Sequence, residues 1–308
     1  FQLGVMATGG AVSGASALFT DYELERQFLD SRCSVVLTDE KNLEKVMQAA
    51  QKCARIKTIV CIRGSDSNGS PLPSNIVEWA DVISISFHIQ KNHQRFSVDP
   101  DRMVALPYSS GTTGSPKGVM LSHRSIGTSI DLFIEYNVSY SKITQNNLQL
   151  FQESFIVNLP FYHMFGFGVI NISLVAGATS IVMDRFDPQV FLAGIQKYRP
   201  RILFTVPPIL IMLAKHPMVD EYDVSSLEEV TVGAAPSGKD LCEEFLARHK
   251  NVKFLTQGYG MTEISIASHL PFLRGKNHYM GVGKAVSNLE QKVFKFLTHW
   301  YKKFSDNR

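Results

Sequence analysis

Tyr108-Ser-Ser-Gly-Thr-Thr-Gly-Ser-Pro-Lys-Gly-Val119 packs small and hydroxylic residues between two apolar runs. Glycines at 111, 114 and 118 open backbone conformations closed to other residues and let main-chain amides approach a ligand. Ser109, Ser110, Thr112, Thr113 and Ser115 add hydroxyl donors, and Lys117 adds a positive charge. Together these groups suit a polyphosphate. The spacing fails the Walker A pattern, and the flanks at 103–107 and 119–121 both have the residue types of strands, whereas a P-loop feeds a helix. A plain surface turn is the competing reading, and the density of donors beside a lysine argues against it.

Outward from this loop, short β-branched runs alternate with segments of helical spacing. Thr20-Asp21-Tyr22-Glu23 is a capping-box pattern that predicts a helix to about residue 30. Strands are predicted at 35–38 and 58–62 around a helix over 43–53, and again at 155–158, 179–183, 202–204, 229–232 and 252–256. Val190, Leu192, Ile195 and Tyr198, and later Leu241, Phe245 and Leu246, fall at helical spacing between them. This rhythm predicts an α/β fold with β-sheets flanked by helices. Residues 63–74 are rich in Gly, Ser, Asp and Pro and are expected to form a surface loop, with an irregular stretch at 88–100 and no internal repeat.

The 308 residues are 44% hydrophobic, enough to bury a substantial core, and 31 Lys+Arg against 28 Asp+Glu leave a formal charge of +3 with no long basic run. Nucleic acid is therefore not an expected partner. Cys33, Cys53, Cys61 and Cys242 form no CxxC pair and have no histidine at zinc-ligand spacing, which fits a reducing intracellular compartment. The opening stretch 1–19 is apolar but broken by Gly4, Gly9, Gly10 and Gly14, and it is expected to be core and not a membrane span or signal peptide. No membrane association is indicated.

Ser109 to Gly118 resembles, almost residue for residue, the phosphate-binding signature of the AMP-forming adenylating enzymes, the family of acyl-CoA synthetases, 4-coumarate CoA ligases and firefly luciferases. Three further segments are similar to motifs of that family. Gln257-Gly-Tyr-Gly-Met-Thr-Glu263 follows a predicted strand, at the end where α/β sheets bind ligands. The resemblance implies adenine contacts for Gln257, Gly258 and Tyr259, α-phosphate contact for Thr262 and a magnesium ligand in Glu263. Gly233-Ala234-Ala235-Pro236 resembles the segment bordering adenine and the acyl pocket, and residues 158–167 place His163 where the family brings carboxylate and thiol together. Tyr162, His163, Gly233 and Gly258 are thereby implied as acyl-pocket residues, and Lys117, His163, Thr262 and Glu263 as the catalytic set. Taken singly, Tyr259 fits a core aromatic, Glu263 a solvated carboxylate, 233–236 a strand-to-helix turn and His163 a satisfied core histidine. His123 and Arg124 fit positioning of the strand and helix after the loop.

The resemblance implies the large N-terminal domain of such an enzyme, incomplete at both ends. Residues 1–293 would be a partial AMP-binding domain and 294–308 a divergent tail, with Leu289, Val293, Phe296, Leu297, Trp300 and Phe304 at helical spacing. A chain opening on Phe is expected to lack an upstream part, and the family's small C-terminal domain, with its lysine, is expected to lie beyond residue 308. The implied activity is ATP-dependent ligation of a carboxylic acid to coenzyme A with Mg²⁺, by an intracellular enzyme of the cytoplasm or peroxisome. This chain alone is expected to be inactive. A non-catalytic nucleotide- or acyl-binding isoform, and an adenylating enzyme with another acyl acceptor, are the alternatives. Neither the particular acid nor the oligomeric state is legible.

Overall fold

Thr20 starts helix α2 (Asp21–Ser31) as the capping box predicts: its Oγ1 accepts from Glu23 N at 3.2 Å, and Glu23 Oε2 accepts from Thr20 N at 2.8 Å. The computed structural model describes residues 1–64, 67, 71–84, 98–109, 115–143, 153–183, 185–271 and 279–292, with the side chains of 136–143 excepted. Preceding α2 is a short helix, α1 (Gln2–Ala7), and following it are β1 (Val35–Asp39), α3 (Leu43–Ala50), β2 (Thr58–Ile62), β3 (Ile76–Glu78) and α4 (Trp79–Ser84). The three strands form a parallel sheet in the order β1-β2-β3, with Val36 opposite Ile59. Helix α3 stops at Ala50, short of the expected residue 53. A tighter 3₁₀ turn at Glu40–Asn42 leads into it, capped by Asp39, whose Oδ1 accepts from Asn42 N at 2.8 Å.

The expectation that residues 1–19 are core is corrected. Helix α1 buries nothing, Leu3 is 56% exposed and Leu18 91%. A six-residue helix has too few turns to present an apolar stripe, and Gly9, at φ +78°, ends it at once. Met6 and Val12 lean on one core while Ala15 and Phe19 lean on another, so the segment runs between two cores and belongs to neither. Among the described residues no helix is long and apolar enough to cross a membrane.

The glycine-rich stretch is flanked by β4 (Met103–Ala105), β5 (Tyr108–Ser109), β6 (Lys117–Gly118) and β7 (Leu121–Ser122), and helix α5 (His123–Ile143) follows. β5 pairs antiparallel with β6, and β4 with β7. The pairing brings Lys117–Gly118 back alongside Tyr108–Ser109, and a helix follows only after two return strands, as expected of a loop that is not of Walker A type. Each expected flank is split: a register shift between Met103 and Ala105 breaks the first, and the second begins at Leu121, not at 119.

The remaining elements are β8 (Ser154–Val157), α6 (Met164–Ala176), β9 (Thr179–Val182), α7 (Pro188–Tyr198), β10 (Ile202–Thr205), α8 (Pro207–Lys215), β11 (Glu229–Val232), α9 (Lys239–Arg248), β12 (Phe254–Gln257), β13 (His269–Leu270) and β14 (Lys284–Ala285). β8 and β9 pair in parallel, β10-β11-β12 form a parallel sheet, and β13 and β14 are an antiparallel pair. β12 starts two residues later than its apolar run suggests because Val252 N donates to His249 O at 3.1 Å, holding that valine in the turn after α9.

Strand alternation divides the buried side chains between two cores. Leu203, Val230 and Leu255 lie in register across the sheet and pack with Phe191 and Ile195 of α7, Leu213 of α8 and Phe245 of α9. Ile202 and Phe204 belong to the other core, with Phe155 of β8, Phe133 of α5 and Phe167 of α6, and the Phe204 ring lies 5.8 Å from those of both Phe133 and Phe155. At the strands' N-terminal ends Arg201 binds Glu153 and Glu229, each at 3.0 Å, and Glu228 at 3.6 Å, while Lys253 binds Glu228 at 2.9 Å. One guanidinium therefore joins the starts of β8, β10 and β11, with β12 attached through Glu228.

Candidate active site

Loops leaving the C-terminal ends of the parallel strands converge where α/β sheets bind ligands. The ladder runs one residue beyond the strands: Gly233 N donates to Thr205 O and Gly258 N to Val232 O, both at 3.0 Å, which sets the two predicted pocket glycines side by side. Gly233 is also where β8's outgoing segment arrives. A Cβ there would lie 2.9 Å from Phe165 Cε1, so only a hydrogen leaves room for the phenyl ring. Ala234 and Ala235 are exposed, and Ala234 holds the left-handed conformation at φ +70°.

His163 caps helix α6. Its Nδ1 accepts from Phe165 N at 3.2 Å, which leaves Nε2 to carry the hydrogen of the neutral ring. The ring is exposed by area, yet surrounding protein atoms desolvate it enough to hold its pKa below the ordinary imidazole value. The sequence offers this residue as a wall of the site or a base; the capping bond occupies one nitrogen and leaves the other as the donor of the neutral ring. Tyr162 is exposed and, with Phe161, lines a cavity of about 800 Å³ among α1, α2 and β1. None of Lys117, Gly233, Tyr259 and Glu263 borders that cavity.

The two phosphate-directed segments meet. Ser109 ends β5, and its Oγ donates to Glu263 Oε1 at 3.3 Å across 154 positions of sequence. That is longer than the usual hydroxyl–oxygen distance of about 2.7–2.8 Å. Glu263 lies in the 3₁₀ turn Thr262–Ile264 and is exposed; Thr262 is half-buried. Lys117, opposite Ser109 in the hairpin, is exposed. Ser110, Gly111, Thr112, Thr113 and Gly114 lie outside the described residues. Tyr108 anchors that stem: its hydroxyl donates to Asp30 of α2 at 2.5 Å, and burial together with the carboxylate raises its pKa.

Gln257, expected beside adenine, has its amide bonded to main chain. Its Oε1 accepts from Ser237 N at 2.8 Å, and its Nε2 donates to Ser237 O at 3.1 Å and to Tyr279 O. Both ends of the amide are engaged by main chain, so the side chain ties the 233–237 turn to Tyr279. Tyr259 is 51% exposed, its ring standing edge-on to His269 at 6.0 Å. Arg124 pairs with Asp101 at 2.6 and 3.0 Å on the surface, consistent with positioning. Sequence reasoning missed Ser125 and Ser265, whose hydroxyls bond each other, and the buried hydroxyls of Thr205 and Ser237, which have no partner among the described residues. No spacing rule connects serines 140 positions apart.

A single carboxylate beside a hydroxyl is the hard-oxygen donor set that suits Mg²⁺ shared with a polyphosphate, and among the described residues no cluster of three or more His, Cys, Asp or Glu offers a self-contained metal cage.

The family profile described as AMP-binding enzyme matches residues 1–298. The chain belongs to that family. It is 33% identical over 297 residues to acyl-CoA synthetase 7 of Caenorhabditis elegans, covering 95% of this chain and 52% of that protein. To 4-coumarate–CoA ligase 2 of Petroselinum crispum it is 34% identical over 300 residues, covering 94% and 51%. The chain thus spans about half the length of the curated relatives it matches. A crystal structure of the anthranilate CoA ligase AuaEII in complex with anthranoyl-AMP superposes with a TM-score of 0.76 at 20% identity, over 93% of this chain and 52% of that one, and so shares its fold.

Proposed function

We propose that this chain is the nucleotide- and acyl-handling part of an ATP-dependent ligase that joins an apolar or aromatic carboxylic acid to coenzyme A through an acyl-adenylate. The observation that carries the reading is the meeting of Ser109, at the base of the Gly/Ser/Thr/Lys hairpin, with Glu263, beside the glycine-lined edge of the parallel sheet. In the first step a carboxylate oxygen bonds to the α-phosphorus of ATP and the bond to the β-phosphate breaks, giving acyl-AMP and pyrophosphate. In the second a thiol sulfur bonds to the acyl carbon, its proton leaves, and AMP departs with the former ester oxygen. Two anions must approach in the first step, so catalysis rests on positioning and charge neutralisation. Lys117 and the hydroxyls of the loop offset phosphate charge, and Thr262 faces the α-phosphate. Glu263 and Ser109 would hold Mg²⁺, which supplies further neutralisation of the leaving pyrophosphate. Gly233 and Gly258 leave space for the adenylate, and His163 presents its Nε2–H toward the acyl group.

The chain spans about half the length of its curated relatives, and nucleotide binding is the step its own residues are expected to support. The test is binding of MgATP to the 308-residue protein, with Lys117→Ala as comparison and pyrophosphate exchange measured over a panel of carboxylic acids. Lys117→Ala is expected to weaken binding about tenfold, the scale of a lost charged hydrogen bond, while melting as the parent does. Equal affinity in both proteins overturns the phosphate-loop assignment. Binding without exchange in a full-length form of the protein favours the non-catalytic alternative.

A further inference from the structure

The turn that presents Thr262 and Glu263 closes on a strained residue. Ser265 sits at φ +74°, ψ −59°, and Ile266 N donates to Ile264 O at 3.0 Å, which makes a γ-turn of the rare positive-φ kind. Such a conformation persists only where its surroundings over-determine it. Here they do: Ser265 is fully buried, and its hydroxyl bonds that of Ser125 in the first turn of α5. Ser125 is itself fixed, its N–H donating to Ser122 Oγ at 3.2 Å. Ser122 belongs to β7, which returns directly from the hairpin strand bearing Lys117. The hydroxyl pair is therefore a short mechanical path from the base of the phosphate hairpin to the turn carrying Glu263.

We infer that Ser125 and Ser265 are positioning residues, a clasp that fixes the Thr262–Glu263 turn relative to the Ser109–Lys117 hairpin so that hydroxyl, ammonium and carboxylate converge on one polyphosphate and its cation. The inference rests on the nucleotide reading of those two segments. A merely structural hydrogen bond makes a different prediction. If the pair only satisfies buried hydroxyls, stability and ligand affinity fall together, whereas a clasp lets them separate. Ser265→Gly removes the hydroxyl and relieves the positive-φ strain at once, so the variant stays at least as stable as the parent while losing the registration.

The experiment is MgATP titration of the full chain and of Ser125→Ala, Ser265→Gly, their double variant and Ser125→Thr, with thermal unfolding and amide hydrogen exchange on each. Loss of one hydroxyl pair is expected to weaken MgATP binding about five- to tenfold. The double variant should bind no worse than either single, because both remove the same contact. Ser125→Thr keeps a hydroxyl and is expected to restore affinity. Exchange at the Ile264 to Ile266 amides should quicken in Ser125→Ala, although that residue lies far away in sequence. Parent-like affinity in Ser265→Gly and Ser125→Ala overturns the clasp, as does affinity falling only in step with stability. If the parent protein itself binds no MgATP, the functional reading fails on its own. The exchange at residue 266 then decides the clasp: quickened in Ser125→Ala it stands as a mechanical link, and unchanged it is refuted.

Discussion

Replacing Gln257 by leucine tests whether its amide is scaffold or ligand contact. The side chain is 8% exposed and makes three main-chain bonds, to Ser237 N, Ser237 O and Tyr279 O. Leucine nearly matches its volume, so packing changes little and the loss is of hydrogen bonding. Ser237 is 7% exposed, which leaves its N–H without water; an orphaned buried donor costs about 1–3 kcal/mol. The two carbonyls lose one partner each and add less, for a total of about 2–4 kcal/mol. In a domain of this size about 1 kcal/mol moves the melting temperature by roughly 2–4 °C, so Gln257→Leu should melt about 4–16 °C below the parent. Differential scanning calorimetry with matched MgATP titrations is the assay. Nucleotide affinity measured well below the melting temperature should fall modestly, through looser placement of residues 233–237. A variant that melts like the parent yet loses MgATP binding outright would refute the scaffold argument and return Gln257 to the adenine site.

Glu263→Gln keeps the shape and removes the charge, and is expected to raise the Mg²⁺ needed for half-maximal nucleotide binding about tenfold; superimposable Mg²⁺ titrations would exclude Glu263. Ala234, at φ +70°, should accept glycine within about 1 kcal/mol, relief of strain offsetting greater freedom in the unfolded chain, whereas Ala234→Val should lose clearly more in a urea unfolding series. His249 is buried, and that burial lowers its pKa against the opposing bond between its Nε2 and Leu213 O at 2.9 Å. The unfolded chain therefore binds the proton more readily, and stability should decline as pH falls from about 6.5 toward the lower folded value; His249→Gln should flatten this slope in melts at successive pH values.

The parallel strands and the helices between them were legible because burial on both faces demands β-branched runs and packing demands helical spacing. Glu229–Val232 and Thr58–Ile62 fall where the sequence puts them. The capping box at Thr20 was legible for a local reason, since all its partners lie within one turn. What failed was non-local. Apolarity in residues 1–19 suggested core, but whether a segment is enclosed depends on what packs over it. At the site, residue type singles out Glu263, Lys117 and the glycines as candidates, while the main-chain bonds of the Gln257 amide to Ser237 and Tyr279 are not announced by it, because an amide suits a main-chain turn as well as a base. The Ser125–Ser265 pair is invisible in sequence, as two ordinary serines gain meaning only when the fold makes them neighbours.

The ion cluster around Arg201 makes the sheet unequal along its length. Its strands are gathered at their starting ends by one guanidinium and three carboxylates, while the opposite ends open into the turns at 233–237 and 257–265. A framework clamped at one end and divergent at the other is a good host for transplantation: the turns can be exchanged for those of a relative with different substrate preference while the foundation stays undisturbed. The same asymmetry sets where such grafting must stop. Any exchange reaching back into Glu153, Arg201 or Glu229 would carry a partly buried charge away from its counterpart, and a chimera cut there would lose the foundation before it gained a new specificity.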